Sequence, residues 1–220
     1  MGANRIATEQ PLINNQTGQG IANPPQYRGL FSPAWRVRLT GVGGLVLFYA
    51  SWRWGSAEMA RWSLIPGIFI STAGLLLRIW ATGWLCKNET LTTTGPYSLT
   101  RNPLYLGTLL IILGHSLMSA VPLAPILFPA MCCMFYLQTM REEQEYLSTR
   151  YGAEYAAYSE RVPLLIPRLR LKRGESLPTQ DSSLVSQQFD AARVQRCWKG
   201  FLGNGLVILI YTVLQAHRHG

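Results

Sequence analysis

Apolar runs alternate with polar stretches along the chain, at 39–54, 62–85, 104–120, 121–140 and 201–215. At 1.5 Å per residue, runs of roughly twenty residues match the hydrocarbon core of a bilayer. The first run is shorter and carries Gly41, Gly43 and Gly44, small residues that let helices approach closely in lipid. Trp52, Trp54 and Trp62 gather where it ends, as an interfacial aromatic belt does. Arg78 lies inside the second run, where a charge needs a partner or the interface. Only Val121, Pro122 and their neighbours separate the third and fourth runs, which predicts a tight antiparallel hairpin. Past the fourth run, Leu147, Tyr151, Tyr155 and Tyr158 recur at helical spacing and predict an amphipathic helix in the headgroup region.

The expected fold is all-α: a polytopic membrane bundle of about five transmembrane helices with a cytoplasmic amphipathic helix. Residues 1–38 form a polar N-terminal tail and 39–167 the core; 168–199 form a basic polar linker and 200–220 a further C-terminal transmembrane helix. Composition supports this division. Hydrophobic residues make up 48% of the 220 and charged residues 14%, well under the usual share in soluble domains. The net charge of +9 then points to an anionic membrane surface rather than to nucleic acid. With the N-terminus inside, sixteen Lys and Arg residues fall on the cytoplasmic side and three on the other. Arg168, Arg170, Lys172 and Arg173 add a patch suited to anionic lipid. The four cysteines lack metal-ligand spacing and are expected to pack as small apolar residues. His115, in the third run, is expected to be a hydrogen-bonded packing residue.

Two polar stretches at the open ends of the predicted hairpin carry the candidate chemistry, and both are expected to face the cytoplasm. The first holds Tyr97 and then Arg101, Asn102, Pro103, Leu104, Tyr105 and Gly107. Pro103 fits a helix's first turn, and Arg101 and Tyr105 are spaced to share a helical face. The second holds Arg141, Glu142, Glu143, Gln144 and Glu145. An acidic cluster beside a surface that repels it can turn back to hold a cationic or hydroxyl-bearing ligand. Ordinary interfacial capping and a solvated helix start are the competing structural readings.

The order GPYxxxRNPLYLG, then a hairpin, then REE, then YGxxYxxYxxRVPxxxP resembles the isoprenylcysteine carboxyl methyltransferase and phospholipid methyltransferase superfamily, over roughly residues 74–167. The resemblance implies an S-adenosylmethionine-dependent enzyme of the membrane, acting on a lipophilic or lipid substrate with its site toward the cytoplasm. It implies cofactor binding by Tyr97, Asn102, Pro103, Leu104, Tyr105, Gly107, Glu142, Glu143 and Leu91, bordered by 89–92. Glu143 and Arg101 are the implied catalytic residues. Two departures matter. The family often has His where Asn102 stands, and Asn does not titrate near neutral pH. Thr139 replaces an Arg found in the isoprenylcysteine enzymes, so a prenylcysteine carboxylate is a weaker candidate substrate. Sterol reductases share a GxYxxxRxPxY region that binds NADPH, and a non-catalytic membrane protein could keep the fold. Paired carboxylates favour a sulfonium ligand and would repel a phosphate-rich dinucleotide.

Overall fold

The computed structural model describes residues 33–85, 90–167, 189–195 and 198–219, with side chains described over 41–85, 90–167, 189–195, 200 and 202–217. Of the expected tail over 1–38, residues 1–32 lie outside the described residues and 33–38 are helical; Glu89, Cys86, Cys197 and the basic patch at 168–173 also lie outside. The described chain is helical, with no strand among its residues: α1 (Pro33–Trp54), α2 (Ala57–Trp84), α3 (Pro103–Met118), α4 (Ala124–Arg161), α5 (Ala191–Gln195) and α6 (Trp198–His219). A 3₁₀ turn, Gly95–Ser98, lies between α2 and α3.

Backbone approach sets the α2–α3 pair. A Cβ on Gly74 would stand 2.6 Å from the Gly107 carbonyl oxygen, and one on Gly114 would stand 2.6 Å from both the Gly67 oxygen and the Ser71 nitrogen. These pairings run the two helices antiparallel, with their backbones in contact along a seam of small residues. Ala120, at φ 56°, closes α3 in the left-handed conformation, and its carbonyl accepts the Ser56 N–H at 3.1 Å. On the other side, the Phe128 ring of α4 fills the space over Gly43 of α1.

Polar contacts bring α6 to the pair. The Ser71 hydroxyl donates to Asn204 Oδ1 at 2.6 Å, and His115 Nε2 stands 2.9 Å from the same oxygen. Gln215 Nε2 donates to the Met118 carbonyl at 3.0 Å. His115 is therefore hydrogen-bonded in the packing, as its sequence context suggests. In apolar surroundings such bonds hold helices together where hydrophobic force between them is weak.

One expectation is met in part and two are corrected. Among the described residues one helix, α2, is long and apolar enough to cross a membrane, against about five expected spans; α3 and the stretch Leu202–His217 are apolar but shorter. The amphipathic segment does not start a new helix at Tyr146: α4 runs on into it as far as Tyr151, kinks, and resumes as a second helical stretch to Arg161. Its break comes later, at Gly152, where φ 48° and ψ −120° are open to glycine and strained for other residues. The 28 residues from Ala124 to the kink span about 42 Å, beyond a hydrocarbon core of about 30 Å. Finally, the linker contains structure. The Asp190 N–H donates to the Gly83 carbonyl at 2.9 Å and Arg193 Nη1 to the Leu85 carbonyl at 2.8 Å. The segment before and within α5 thereby caps the last turn of α2.

Candidate functional site

Pro103 decides where the first polar stretch sits. A proline disfavours helical backbone at the preceding residue, and Asn102 accordingly has φ −128° and ψ 58°. The helix starts at Pro103, so Arg101 and Asn102 stand above it rather than on a face shared with Tyr105. Tyr105 instead points to α4, its ring 5.4 Å from that of Tyr136. Gly107 lies against α2, where a Cβ would meet Arg78 Cγ at 2.6 Å, so its place is the helix seam. Pro103 is buried, and Leu104 is half-buried on α3.

The extended stretch after α4 anchors the residues above α3. The Arg101 N–H donates to the Pro163 carbonyl at 2.9 Å. Asn102 Nδ2 donates to the Leu164 carbonyl at 3.0 Å, and the buried Thr100 hydroxyl lies 3.2 Å and 3.0 Å from the Leu164 and Leu165 carbonyls. Asn102 thus spends its amide on the fold. Thr100 and the 163–165 carbonyls were not foreseen as parts of the site. The signal was present: Pro163 and Pro167 keep the chain out of a helix, leaving carbonyls that need donors.

Gly95, at φ 59° with the Trp84 ring packed over it, turns the chain into the 3₁₀ segment that buries Tyr97. The Tyr158 hydroxyl donates to the Tyr97 carbonyl at 2.7 Å. Leu91 packs with Tyr155, Tyr158 and Val162, and Leu147 and Tyr151 close around them. The expected amphipathic face is therefore covered by the protein's own loop. Removing the buried bond with Tyr158→Phe should cost about 1–3 kcal/mol, because the Tyr97 carbonyl would be left without its donor. Thermal unfolding in detergent would show it as a lowered midpoint, and an unchanged midpoint would contradict this role.

The two polar stretches meet here. Arg101 Nη1 reaches Gln144 Oε1 at 3.4 Å and the Tyr155 hydroxyl at 3.5 Å. The Tyr97 phenol is pushed well above its ordinary range, first by burial, then by the Glu143 carboxylate and then by Tyr158. Burial raises Tyr155 too; Arg101 opposes that shift and Glu143 adds to it. Both phenols stay neutral at physiological pH and can donate. Glu143 therefore lies close enough to act electrostatically on Tyr97 and Tyr155. Glu142 is half-buried one residue before it.

Three polar atoms in this region, Thr90 Oγ1, the Tyr97 hydroxyl and Arg101 Nε, are buried without a hydrogen-bond partner. Buried polar atoms are rarely left so, and orphaned ones around one loop mark a place for a polar ligand. Donors at Tyr97 and Arg101 with a carboxylate at Glu143 fit a ligand that carries both ammonium and carboxylate groups, such as the amino-acid end of S-adenosylmethionine. Among the described residues no three His, Cys, Asp or Glu side chains converge as metal ligands.

Comparison with known proteins gives the arrangement a family. The model for phospholipid methyltransferase matches residues 62–154, from α2 into the outer half of α4. The cobalt-zinc-cadmium resistance protein CzcN of Cupriavidus metallidurans is 34% identical over 79% of this chain and 78% of its own. The nickel-cobalt-cadmium resistance protein NccN of Alcaligenes xylosoxydans is 34% identical over 64% of this chain and 67% of its own. Protein-S-isoprenylcysteine O-methyltransferase B of Arabidopsis thaliana is 31% identical over 37% of this chain and 41% of its own. No solved structure matches. Model and relatives together show that the chain belongs to the isoprenylcysteine carboxyl methyltransferase and phospholipid methyltransferase superfamily.

Proposed function

We propose that the protein is an S-adenosylmethionine-dependent methyltransferase of the membrane, acting on a lipophilic acceptor such as an isoprenylcysteine-like carboxylate or a phospholipid amine. The observation that carries this reading is the meeting of Tyr97 and Arg101 with Glu143 and Gln144, drawn from opposite ends of the α3–α4 hairpin. In this reading the chain is multi-pass, with its N-terminus and site toward the cytoplasm. The distribution of Lys and Arg supports that orientation.

The cofactor would supply an electrophilic methyl group on a sulfonium. Arg101 and the Tyr97 hydroxyl would hold its carboxylate; Glu142 and Glu143 would hold its ammonium and ribose hydroxyls. Leu91, Leu104 and Tyr105 would flank it. Methyl transfer is an in-line displacement, so the protein's main contribution is alignment and exclusion of water. An ionised carboxylate acceptor needs no base. An amine acceptor must lose a proton, and Glu143 is the group placed to take it.

Calorimetry of the detergent-purified protein with S-adenosylhomocysteine tests the reading. Glu143→Ala is expected to weaken binding at least about tenfold, the loss typical of a charge-assisted contact. Glu142→Ala should have a smaller effect. Wild-type affinity in both variants would remove the basis of the assignment.

A further inference from the structure

Arg78 sits six residues before the end of α2, about 9 Å down the helix. α2 itself is about 42 Å long, close to the full thickness of a bilayer with its headgroups. Arg78 then falls a few ångström inside the hydrocarbon edge. A snorkelling arginine at that depth would aim its head toward the helix end. This one does not. Its stem crosses Gly107, where a Cβ would meet Arg78 Cγ at 2.6 Å, and Nη1 donates to the Thr108 hydroxyl. Thr108 is five residues into α3, about 8 Å below its start. The guanidinium is therefore held level with its own backbone, in the α2–α3 groove.

Its partner there is neutral. Thr108 in turn donates to the Leu104 carbonyl at 2.9 Å, so its oxygen can accept from Arg78 without supplying charge. Among the described residues no carboxylate stands within ion-pair distance of Arg78. Arg78 is only half-buried, so its side chain remains open on one side. A guanidinium has five donors in a fork that matches carboxylate and phosphate, and a single hydroxyl leaves most of that fork unused. A charge at this depth is costly unless a counter-charge meets it.

We propose that Arg78, held by Gly107 and Thr108, forms a site for the anionic head of a lipid-chain ligand, a carboxylate or a phosphate, entering from the bilayer along the α2–α3 groove. The inference rests on α2 lying in the membrane and is independent of the cofactor assignment. The site lies below Arg101 and Asn102 on the α3 side. An anionic head held there would place an attached chain in the lipid.

The test uses full-length protein in neutral detergent, titrated with oleate, with dioleoylphosphatidylglycerol and with uncharged dioleoylglycerol, and read by native mass spectrometry. Arg78→Gln should weaken binding of an anionic lipid about tenfold or more and leave dioleoylglycerol unchanged. Arg78→Lys, which keeps the charge and loses the fork, should fall between. Arg61→Gln, an exposed position at the other end of α2, should stay within about twofold of wild type. An effect on oleate alone identifies a carboxylate, and one on phosphatidylglycerol alone a phosphate. Equal anionic-lipid binding by wild type, Arg78→Gln and Arg78→Lys would overturn the site. S-adenosylhomocysteine titrations of the same proteins separate the two proposals: failure of all forms to bind it would refute the cofactor assignment and leave the lipid measurement intact.

Discussion

Arg101→Ala is expected to lower methyl transfer by about a hundredfold or more, with the loss falling on turnover as well as on cofactor affinity. Arg101 is the one residue whose side chain bridges the loop before α3 to both halves of the α4 face, through Gln144 and Tyr155. Removing it takes the guanidinium away from Gln144 and the Tyr155 hydroxyl. It also frees Tyr155, whose phenol Arg101 now stabilises against burial. Arg101→Lys should recover only part of the activity, because an ammonium can stand in for Nη1, the one nitrogen that reaches both partners, but not for the buried Nε–H left for a ligand. Transfer of label from S-adenosylmethionine to lipid, measured over a range of cofactor concentrations, separates the two losses. A rise in KM with unchanged kcat would make Arg101 a binding residue only.

Gly114→Leu is expected to abolish the folded bundle. The atoms that its Cβ would meet at 2.6 Å are the Gly67 carbonyl oxygen and the Ser71 backbone nitrogen, and backbone cannot swing aside as a side chain can. Overpacking of this kind usually costs about 1–3 kcal/mol, and more where the neighbour is rigid. It would also drive α3 off α2 beside His115, loosening the contact that holds Asn204 of α6. Gly44→Leu is the matched control, since nothing stands within 4 Å of a Cβ there. Size-exclusion profiles and thermal midpoints in detergent should separate the two. A monodisperse, normally melting Gly114→Leu protein would show that the seam is not rigid.

Local rules carried the sequence reading a long way. Apolar runs separated by Gly-Pro and Asn-Pro located α2, α3, the start of α4 and α6, because lipid-scale runs and proline breaks act within a few residues. The meeting of Tyr97 and Arg101 with the acidic stretch followed from the hairpin, whose short turn leaves its two open ends side by side. Other features depend on tertiary contacts. The continuity of α4 through Arg141–Glu145 was hidden because a change from apolar to charged residues marks a change of surroundings, not of backbone. The work of Asn102 was hidden because its partner, the Leu164 carbonyl, lies 62 residues away. The docking of α5 on the end of α2 was equally silent, since Gly83 and Leu85 offer only backbone oxygens.

The unbroken first stretch of α4, from Ala124 to the kink at Gly152, makes angular phase a constraint on this protein. Each residue added to or removed from a helix turns everything beyond it by about 100°. Phe128 meets Gly43, Tyr136 meets Tyr105, and Gln144 meets Arg101, all from one rod. A single-residue deletion between Tyr136 and Glu143 would swing the carboxylate a quarter-turn or more off the Tyr97 side while leaving every side chain chemically intact. Length changes that keep this geometry are therefore expected only in its loops, and the stretch from Tyr136 to Gln144 works as a ruler whose unit is one residue.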